Sequence, residues 1–285
     1  RPRLRVVTPP PGDLARVTEL ARARGLRLGA PLHVSAETAS TNDDAKAGAR
    51  AGAPHGATWV AEVQRAGRGR QGRSWFGVAG ESLLFSVLLR VPCSPARVPV
   101  LALACGLAVR DAVAAALGED PAAGQSVAKV KWPNDVLVFD KKVAGVLVES
   151  AVLGSRVEHV VVGCGINVYT REWPDELRPL ATSVAAARDA AGLGAGASLD
   201  RAAILVDVLA GLDRDAERVL HRGIEHLHAR LSLHDALRGR EVSGDAIGRG
   251  VARGIDAEGR LRVELADGTV RAVAAGEVRV TPSGA

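Results

Sequence analysis

The chain has 285 residues, room for one large domain plus a smaller one with an ample core. Hydrophobic residues make up 47% and charged residues 24%, a balance that excludes a disordered or membrane-embedded class and fits a soluble globular protein. The net charge of +5, from 37 basic and 32 acidic side chains, is a modest anion-attracting excess and far from a polybasic nucleic-acid tail. The three cysteines, Cys93, Cys105 and Cys164, show no CxxC spacing and sit in apolar surroundings, which favours buried thiols over a disulfide framework or zinc site. The apolar run Val98–Val109 is broken by Arg110 and Asp111, too short to span a bilayer, and no signal core follows the N-terminal arginines. A cytoplasmic protein with no membrane partner is expected.

The opening RPRLR reads as a solvated arm, followed by a Pro-rich stretch, Pro9–Pro11, and an amphipathic helix near Leu14–Arg24 closed by Gly25. Leu32–Ser35 is the first strand candidate. Ser40-Thr41-Asn42-Asp43-Asp44 then starts a helix, a hydroxyl or amide cap followed by first-turn acids, which fades at Gly52. Thr58–Val63, Ser82–Val91, Val127–Trp132, Val136–Phe139 with Val143–Ser150, and Val157–Gly163 read as strands. Long helices are expected over Val98–Leu117, closed by Gly118, and Asp200–Leu220. Consecutive strands joined by tight turns predict an α+β fold, a mixed sheet with helices packed mainly on one side. After Leu233 come short alternating runs, Ile247–Ile255, Arg260–Leu265 and Val270–Val273, separated by DAEG and ADG turns. They predict a small SH3-like β-barrel of about 45 residues, and a division into an arm (1–30), a catalytic domain (31–233) and the barrel (234–285). His226 and His228 have no third ligand nearby and read as a solvated helix face.

Three segments carry chemistry. In Gly67-Arg68-Gly69-Arg70-Gln71-Gly72-Arg73, glycines let backbone N–H groups turn toward an anion, and arginines add planar donors that match phosphate or carboxylate. The alternatives are an RGG-like nucleic-acid tract or a plain solvated loop; the motif occurs once and without repetition, which favours anion binding. It is neither a Walker motif nor a dinucleotide fingerprint. With nothing apolar before Trp75 and Phe76, the loop cannot pack on its own, and ordering on ligand binding is expected. In Lys131-Trp132-Pro133-Asn134-Asp135-Val136, Pro133 leaves Asn134 and Asp135 at a strand junction, a place for exposed polar groups or for a structural Asx-turn. In Lys141-Lys142-Val143-Ala144-Gly145-Val146-Leu147-Val148-Glu149, a lysine opens an otherwise apolar strand, as turn lysines pointing to water also do.

GRGRQGRSW, KWPNDV, KKVAGVLVE and GCGINV, in this order and spacing, with STND before them and Ala181–Ser183 after, resemble the biotin–protein ligase (biotin–[acetyl-CoA-carboxylase] ligase) family. The likeness is strongest over residues 31–185, and the C-terminal barrel matches in type. It implies activation of biotin with Mg-ATP to biotinyl-5′-AMP, then transfer to one lysine of a biotin carboxyl carrier domain. It also implies that Ser40, Thr41, Asn42 and Gln64 line the ureido pocket while Arg68, Gly69 and Arg70 wrap biotin and phosphate, beside Gly145. Arg73 would assist at the phosphates, and Trp75 would close over the loop. Lys142, rather than Lys141, aligns with the lysine between the biotin carboxylate and the α-phosphate. Asn167 would address adenine, and Asp135 is the candidate base near the acceptor lysine. Magnesium would arrive with ATP rather than in a fixed protein site.

Arg65 departs from the small or polar residue usual in the family and is expected to point outward. Relatives that repress transcription carry an N-terminal winged helix-turn-helix. Only about 30 residues precede the catalytic region here, so a monofunctional ligase without DNA as a partner is expected. The competing readings are a lipoate or octanoate ligase, which carries a different glycine-rich arrangement, and a nucleic-acid-binding regulator using the Arg-rich loop.

Overall fold

The computed structural model describes residues 12–281 apart from 121, 123, 124 and 193–198, so the opening RPRLR and Pro9–Pro11 lie outside the described residues. Seven strands form the main sheet: β1 (Leu32–Thr38), β2 (Thr58–Gln64), β3 (Ser82–Leu89), β4 (Ala128–Lys131), β5 (Asp135–Val138), β6 (Lys141–Leu153) and β7 (Arg156–Asn167). Their spatial order is β1-β2-β3-β7-β6-β5-β4. Only β1 and β2 are parallel, and the remaining neighbours pair antiparallel. The parallel pair needs a crossover, which α2 (Thr41–Arg50) supplies.

Alternation sorts the two faces of the central strands. Leu83, Phe85, Val87 and Leu89 of β3, with Val160, Val162, Cys164 and Ile166 of β7, enter the main core. There they pack against α3 (Leu101–Ala116) and α5 (Arg201–Arg222), with α1 (Val17–Ala23) resting on α5. The opposite face carries a smaller cluster, Ala45 and Ala49 of α2 with Trp59, Leu88 and Val161. The expected α+β fold is present, and α2 is the helix on the second face. Although α3 and its 3₁₀ approach are long and apolar enough to cross a membrane, they form the core helix between sheet and α5. Cys93, Cys105 and Cys164 are buried free thiols.

Local chemistry explains the long helix ends. The Asp200 carboxylate accepts the N–H groups of Ala202 (2.9 Å) and Ala203 (3.2 Å), and Gly223, at φ 84°, closes the other end of α5. Arg201, 1% exposed, is neutralised between Asp13 and Glu62 at 2.7–2.8 Å, tying the segment before α1 to β2. A short helix not anticipated from the pattern, α4 (Val184–Ala190), is capped by Ser183, whose Oγ accepts from Ala186 N at 3.1 Å.

After α6 (His228–Leu233) the chain forms a second antiparallel sheet, the expected SH3-like unit. Its strands are β8 (Glu241–Gly244), β9 (Gly248–Ile255), β10 (Leu261–Leu265), β11 (Val270–Val273) and β12 (Arg279–Val280), ordered β11-β10-β9-β8-β12. Sequence alternation shows only the middle three; β8 and β12 are four and two residues long, too short to show a period. The His226–His228 pair splits. His228 is exposed as expected, whereas His226 is half-buried 3.7 Å from Asp215, and burial lowers its pKa.

The two sheets are joined through Trp132, which is 1% exposed and donates Nε1–H to Gly259 O at 3.0 Å. Val130 adds backbone bonds to His234 O (2.8 Å) and from Ala236 N (2.9 Å). Gly259 sits at φ +79°, where a Cβ would lie 2.4 Å from Val100 Cγ1. Gly259→Ala therefore combines a left-handed backbone with a clash at the junction and is expected to lower stability by about 1–3 kcal/mol. Urea denaturation of both proteins measures it, and an unchanged midpoint would contradict this packing.

Candidate active site

The cleft lies on the α2 face, and its floor is made by residues with no side chain. A residue rests directly on each of Gly145 of β6 and Gly163 and Gly165 of β7, where a Cβ would collide with it at the two β7 positions and press tightly on it at Gly145. At Gly163 it would meet Asn42 Oδ1 at 1.9 Å, and at Gly165 the Trp75 ring at 2.4 Å. At Gly145 it would meet Trp75 at 3.0 Å and the end of Lys142 at 3.1 Å. The cleft measures about 680 Å³. It gathers every residue singled out from the sequence: Ser40, Thr41, Asn42, Gln64, Arg68, Gly69, Arg70, Arg73, Trp75, Asp135, Lys142, Gly145 and Asn167.

One end is a pocket of amides and hydroxyls. Gln64 Oε1 accepts from Thr41 N (2.7 Å) and lies 3.0 Å from Thr41 Oγ1, and the Thr41 N–H bond turns Gln64 Nε2 outward as a donor. Ser40 occupies the N-cap position of α2, but its hydroxyl makes no capping bond, contrary to the usual role of such a residue. It is 3% exposed and lines the cleft.

The Gly–Arg loop is folded into a tight turn. Gly69 N bonds to Arg73 O at 2.6 Å and Trp75 N to Gly67 O at 2.9 Å, with Gln71 at φ 56°. Its three arginines differ. Arg68 is locked in a bidentate pair with Asp43 (2.6 and 2.7 Å) and stands 3.5 Å from Glu149. Arg70 has only long contacts, 3.5 Å to Asn134 Oδ1 and 3.4 Å to Gly276 O. Arg73 is 59% exposed and pairs with Glu277 of the second sheet. Arg65, as expected, points outward, 71% exposed and 3.0 Å from Glu37.

The other end holds Lys142. Strict alternation from Gly145 would send it to the core face, but the register shifts between Val136 and Leu137, and the resulting bulge turns it into the cleft. Its backbone is held by Leu180 O (2.8 Å) and Thr182 N (2.9 Å). The ammonium lies 2.6 Å from Asp135 Oδ1 and 5.4 Å from the Trp75 ring centroid. Lys141 is exposed. Asn134 is largely structural, donating to Val146 O at 2.7 Å and so pinning the turn before β5 to β6. Asn167 donates to Thr182 O at 3.0 Å, and its buried Oδ1 has no partner among the described residues. The same holds for Trp75 Nε1.

Several cleft residues carried no assigned role in the sequence reading. Lys131 faces Asp135 in the β4–β5 register, and burial pulls its pKa below the usual lysine value. Glu277 and Gly276 come from a segment whose sequence gives no hint of the cleft. Asp43, Lys46 and Glu149 form an ionic cluster around Arg68, with Lys46 2.9 Å from both carboxylates. The Arg68 pair holds the Asp43 carboxyl far below the usual carboxylate range and raises Arg68 in turn. Burial pulls Glu149 upward, but its Asn42, Lys46 and Arg68 donors outweigh this and leave it below its ordinary value.

The segment that carries most of this cleft, residues 35–167, matches the model of the Biotin/lipoate A/B protein ligase family. The Biotin protein ligase C terminal domain matches residues 237–280. A biotin–[acetyl-CoA-carboxylase] ligase of Mycobacterium tuberculosis is 38% identical over 255 residues, covering 87% of this chain and 88% of that protein. The bifunctional ligase/repressor BirA of Bacillus subtilis is 34% identical over 236 residues, 80% of this chain and 68% of that one. Among solved structures, the biotin protein ligase of Aquifex aeolicus in complex with biotin and ATP superposes with a TM-score of 0.71 at 26% identity, covering 89% of this chain and all of that one. The chain belongs to the biotin protein ligase family.

A depressed carboxyl contributes stability that is complete above its unfolded value and lost as pH falls through the folded one. For Asp43 the contribution is therefore full above about pH 4 and fades on acidification below that. Asp43→Asn is expected to be less stable than the parent at neutral pH, with the gap narrowing toward pH 2. Urea titrations across this range test it, and a gap independent of pH would show the Arg68 pair contributes nothing.

Proposed function

We propose that the protein activates biotin with ATP and transfers it to a lysine of a carboxylase's biotin carboxyl carrier domain. The observation that carries this reading is the bipolar cleft: a neutral hydroxyl–amide pocket at Ser40, Thr41 and Gln64 opposite a cationic end at Lys142, Arg70, Arg73 and Lys131. Biotin has the matching polarity, a ureido ring at one end and a carboxylate at the other. The match to the biotin-specific C-terminal domain favours biotin over lipoate.

In the first step a biotin carboxylate oxygen attacks the α-phosphorus of ATP, and pyrophosphate leaves. Two anions must approach, and Lys142 sits at the boundary of the two halves to neutralise both. Arg70 faces the phosphates because its present partners are long neutral contacts that are cheaply exchanged, with Arg73 assisting. Asn167 Oδ1, a free acceptor, suits the adenine amino group. Magnesium accompanies ATP as part of the substrate. Among the described residues no three His, Cys, Asp or Glu side chains form a group that could hold a metal ion.

Biotinyl-5′-AMP is an acyl phosphate that water would hydrolyse, so the Gly–Arg loop with Trp75 shields it. Arg68, held by Asp43 and Glu149, forms the fixed root of that loop, while its backbone and Gly69 line the ligand. In the second step the carrier lysine attacks the acyl carbon and AMP leaves. Asp135, released when Lys142 turns to the anions, takes the lysine proton.

Incubation with ATP, magnesium, a carrier domain and labelled biotin or lipoate tests the reading directly. Labelled carrier is expected with biotin only, and no labelling with biotin would overturn it. Lys142→Ala is expected to reduce adenylate formation by about 100-fold or more without unfolding the chain, the scale of a lost charge-stabilising group. Adenylate synthesis at the parent rate would remove the lysine from the mechanism. Protease cleavage within Gly67–Gly72 is expected to be fast in the free protein and slow with biotin and ATP, and equal rates would exclude ligand-driven ordering.

A further inference from the structure

Beneath the ureido end a chain of polar side chains links the pocket to Glu149. Asn42 is 4% exposed, and its carboxamide lies flat on Gly163. Its Nδ2 donates to Glu149 Oε2 at 2.7 Å and reaches Leu147 O at 3.5 Å, while its Oδ1 lies 2.6 Å from Ser86 Oγ. Ser86 Oγ is in turn 2.8 Å from Thr41 Oγ1. Ser86 is fully buried on β3, and Glu149 is also held by Lys46 and Arg68.

We infer that Glu149 is a positioning residue for biotin recognition, setting the donor and acceptor polarity of the ureido pocket through Asn42, Ser86 and Thr41. This rests on the biotin reading given above. The number of protons available along this chain fixes the direction of each link. An ionised carboxylate only accepts, so Asn42 must present its amino group to Glu149 and its oxygen to Ser86. That oxygen also only accepts, so the single Ser86 proton is committed to Asn42. Ser86 is then an acceptor toward Thr41, and the Thr41 hydroxyl cannot receive a proton from below. Its remaining lone pair is left for an N–H donor in the cleft, beside the donor Nε2 of Gln64. An acceptor next to a donor is the complement of a urea edge, one N–H and one C=O. Glu149 also joins Arg68, so the pocket and the root of the loop share one anchor.

Reversing the polarity of one link and restoring it at the next tests this. Asn42→Asp sets a second carboxylate against Glu149, and Glu149→Gln in that background supplies an amide donor to it. By calorimetry with biotin alone, Asn42→Asp is expected to weaken binding by about 100-fold, and adding Glu149→Gln to recover about tenfold, the scale of a directly coupled pair. Affinity for ATP alone is expected to stay within about threefold throughout, a split that general loosening of the fold would not produce. Identical biotin affinities for the single and double variants would overturn the inference, provided the parent binds biotin. A parent that binds no biotin would instead overturn the proposed function itself. If thermal melting shows Asn42→Asp unfolded, Ser86→Ala breaks the next link and is expected to weaken biotin about tenfold with ATP affinity kept; unchanged biotin affinity there overturns the inference.

Discussion

The absence of side chains at Gly145, Gly163 and Gly165 is the constraint on which the site depends. A sheet face with ordinary residues would be filled by its own Cβ atoms and would pack against a helix, as the opposite face does against α3 and α5. Here the two central strands remain bare at three neighbouring positions, and the layer above is built from side chains that arrive from elsewhere. Asn42 comes from α2, Trp75 from the loop, and Lys142 from the start of β6. At Gly163 and Gly165 the contact lies closer than a methyl group would allow, so even alanine there would displace a residue of the site, and at Gly145 it would press on Trp75 and Lys142. The glycines are thus part of the recognition surface although they contribute no functional group.

That floor also brings three sequence segments into one network. The STND segment, the Glu149 end of β6 and the first glycine of GCGINV meet at a single side chain, Asn42. The placement of Lys142 depends on a further local irregularity. The bulge at the start of β6 reverses its facing, so Lys142 shares the cleft side with Gly145 although the two are three positions apart. A regular strand would leave the ammonium in an apolar core, where burial would favour its neutral form.

Much of the architecture was readable because it rests on local signals. Asp200 and Gly223 mark the ends of α5, and apolar runs mark β3 and β7. The candidate residues were legible as motifs, and all of them converge on one cleft. What was not legible is what depends on register or on distant pairing. The β5–β6 turn uses Phe139 and Asp140 at φ 49° and 62°, where an Asn-Gly pair would have announced it. Ser86 reads as one polar residue in a buried strand, and Glu149 as the end of an apolar run. Their chemistry appears only when β3 and β6 are placed on either side of β7. The approach of Gly276 and Glu277 to the loop joins residues some 200 positions apart, which no local pattern encodes.

The three arginines of the loop show how far composition and geometry differ in what they can assign. As a motif they are equivalent cations on glycine hinges. In the fold, Arg68 is committed to Asp43 in a short bidentate pair and stands 3.5 Å from Glu149, so moving its charge to a phosphate would strand both carboxylates beside one remaining lysine. Arg73 has a single carboxylate partner at the surface, an interaction easily screened or exchanged. Arg70 has no carboxylate partner in the described structure and touches only neutral oxygens at 3.4–3.5 Å. A phosphate entering the cleft therefore finds one guanidinium whose charge is uncompensated, a second that can be recruited, and a third that must stay in place. Gly276 and Glu277, from the segment before β12, hold Arg70 and Arg73, so the resting position of the loop depends on a part of the chain some 200 residues away.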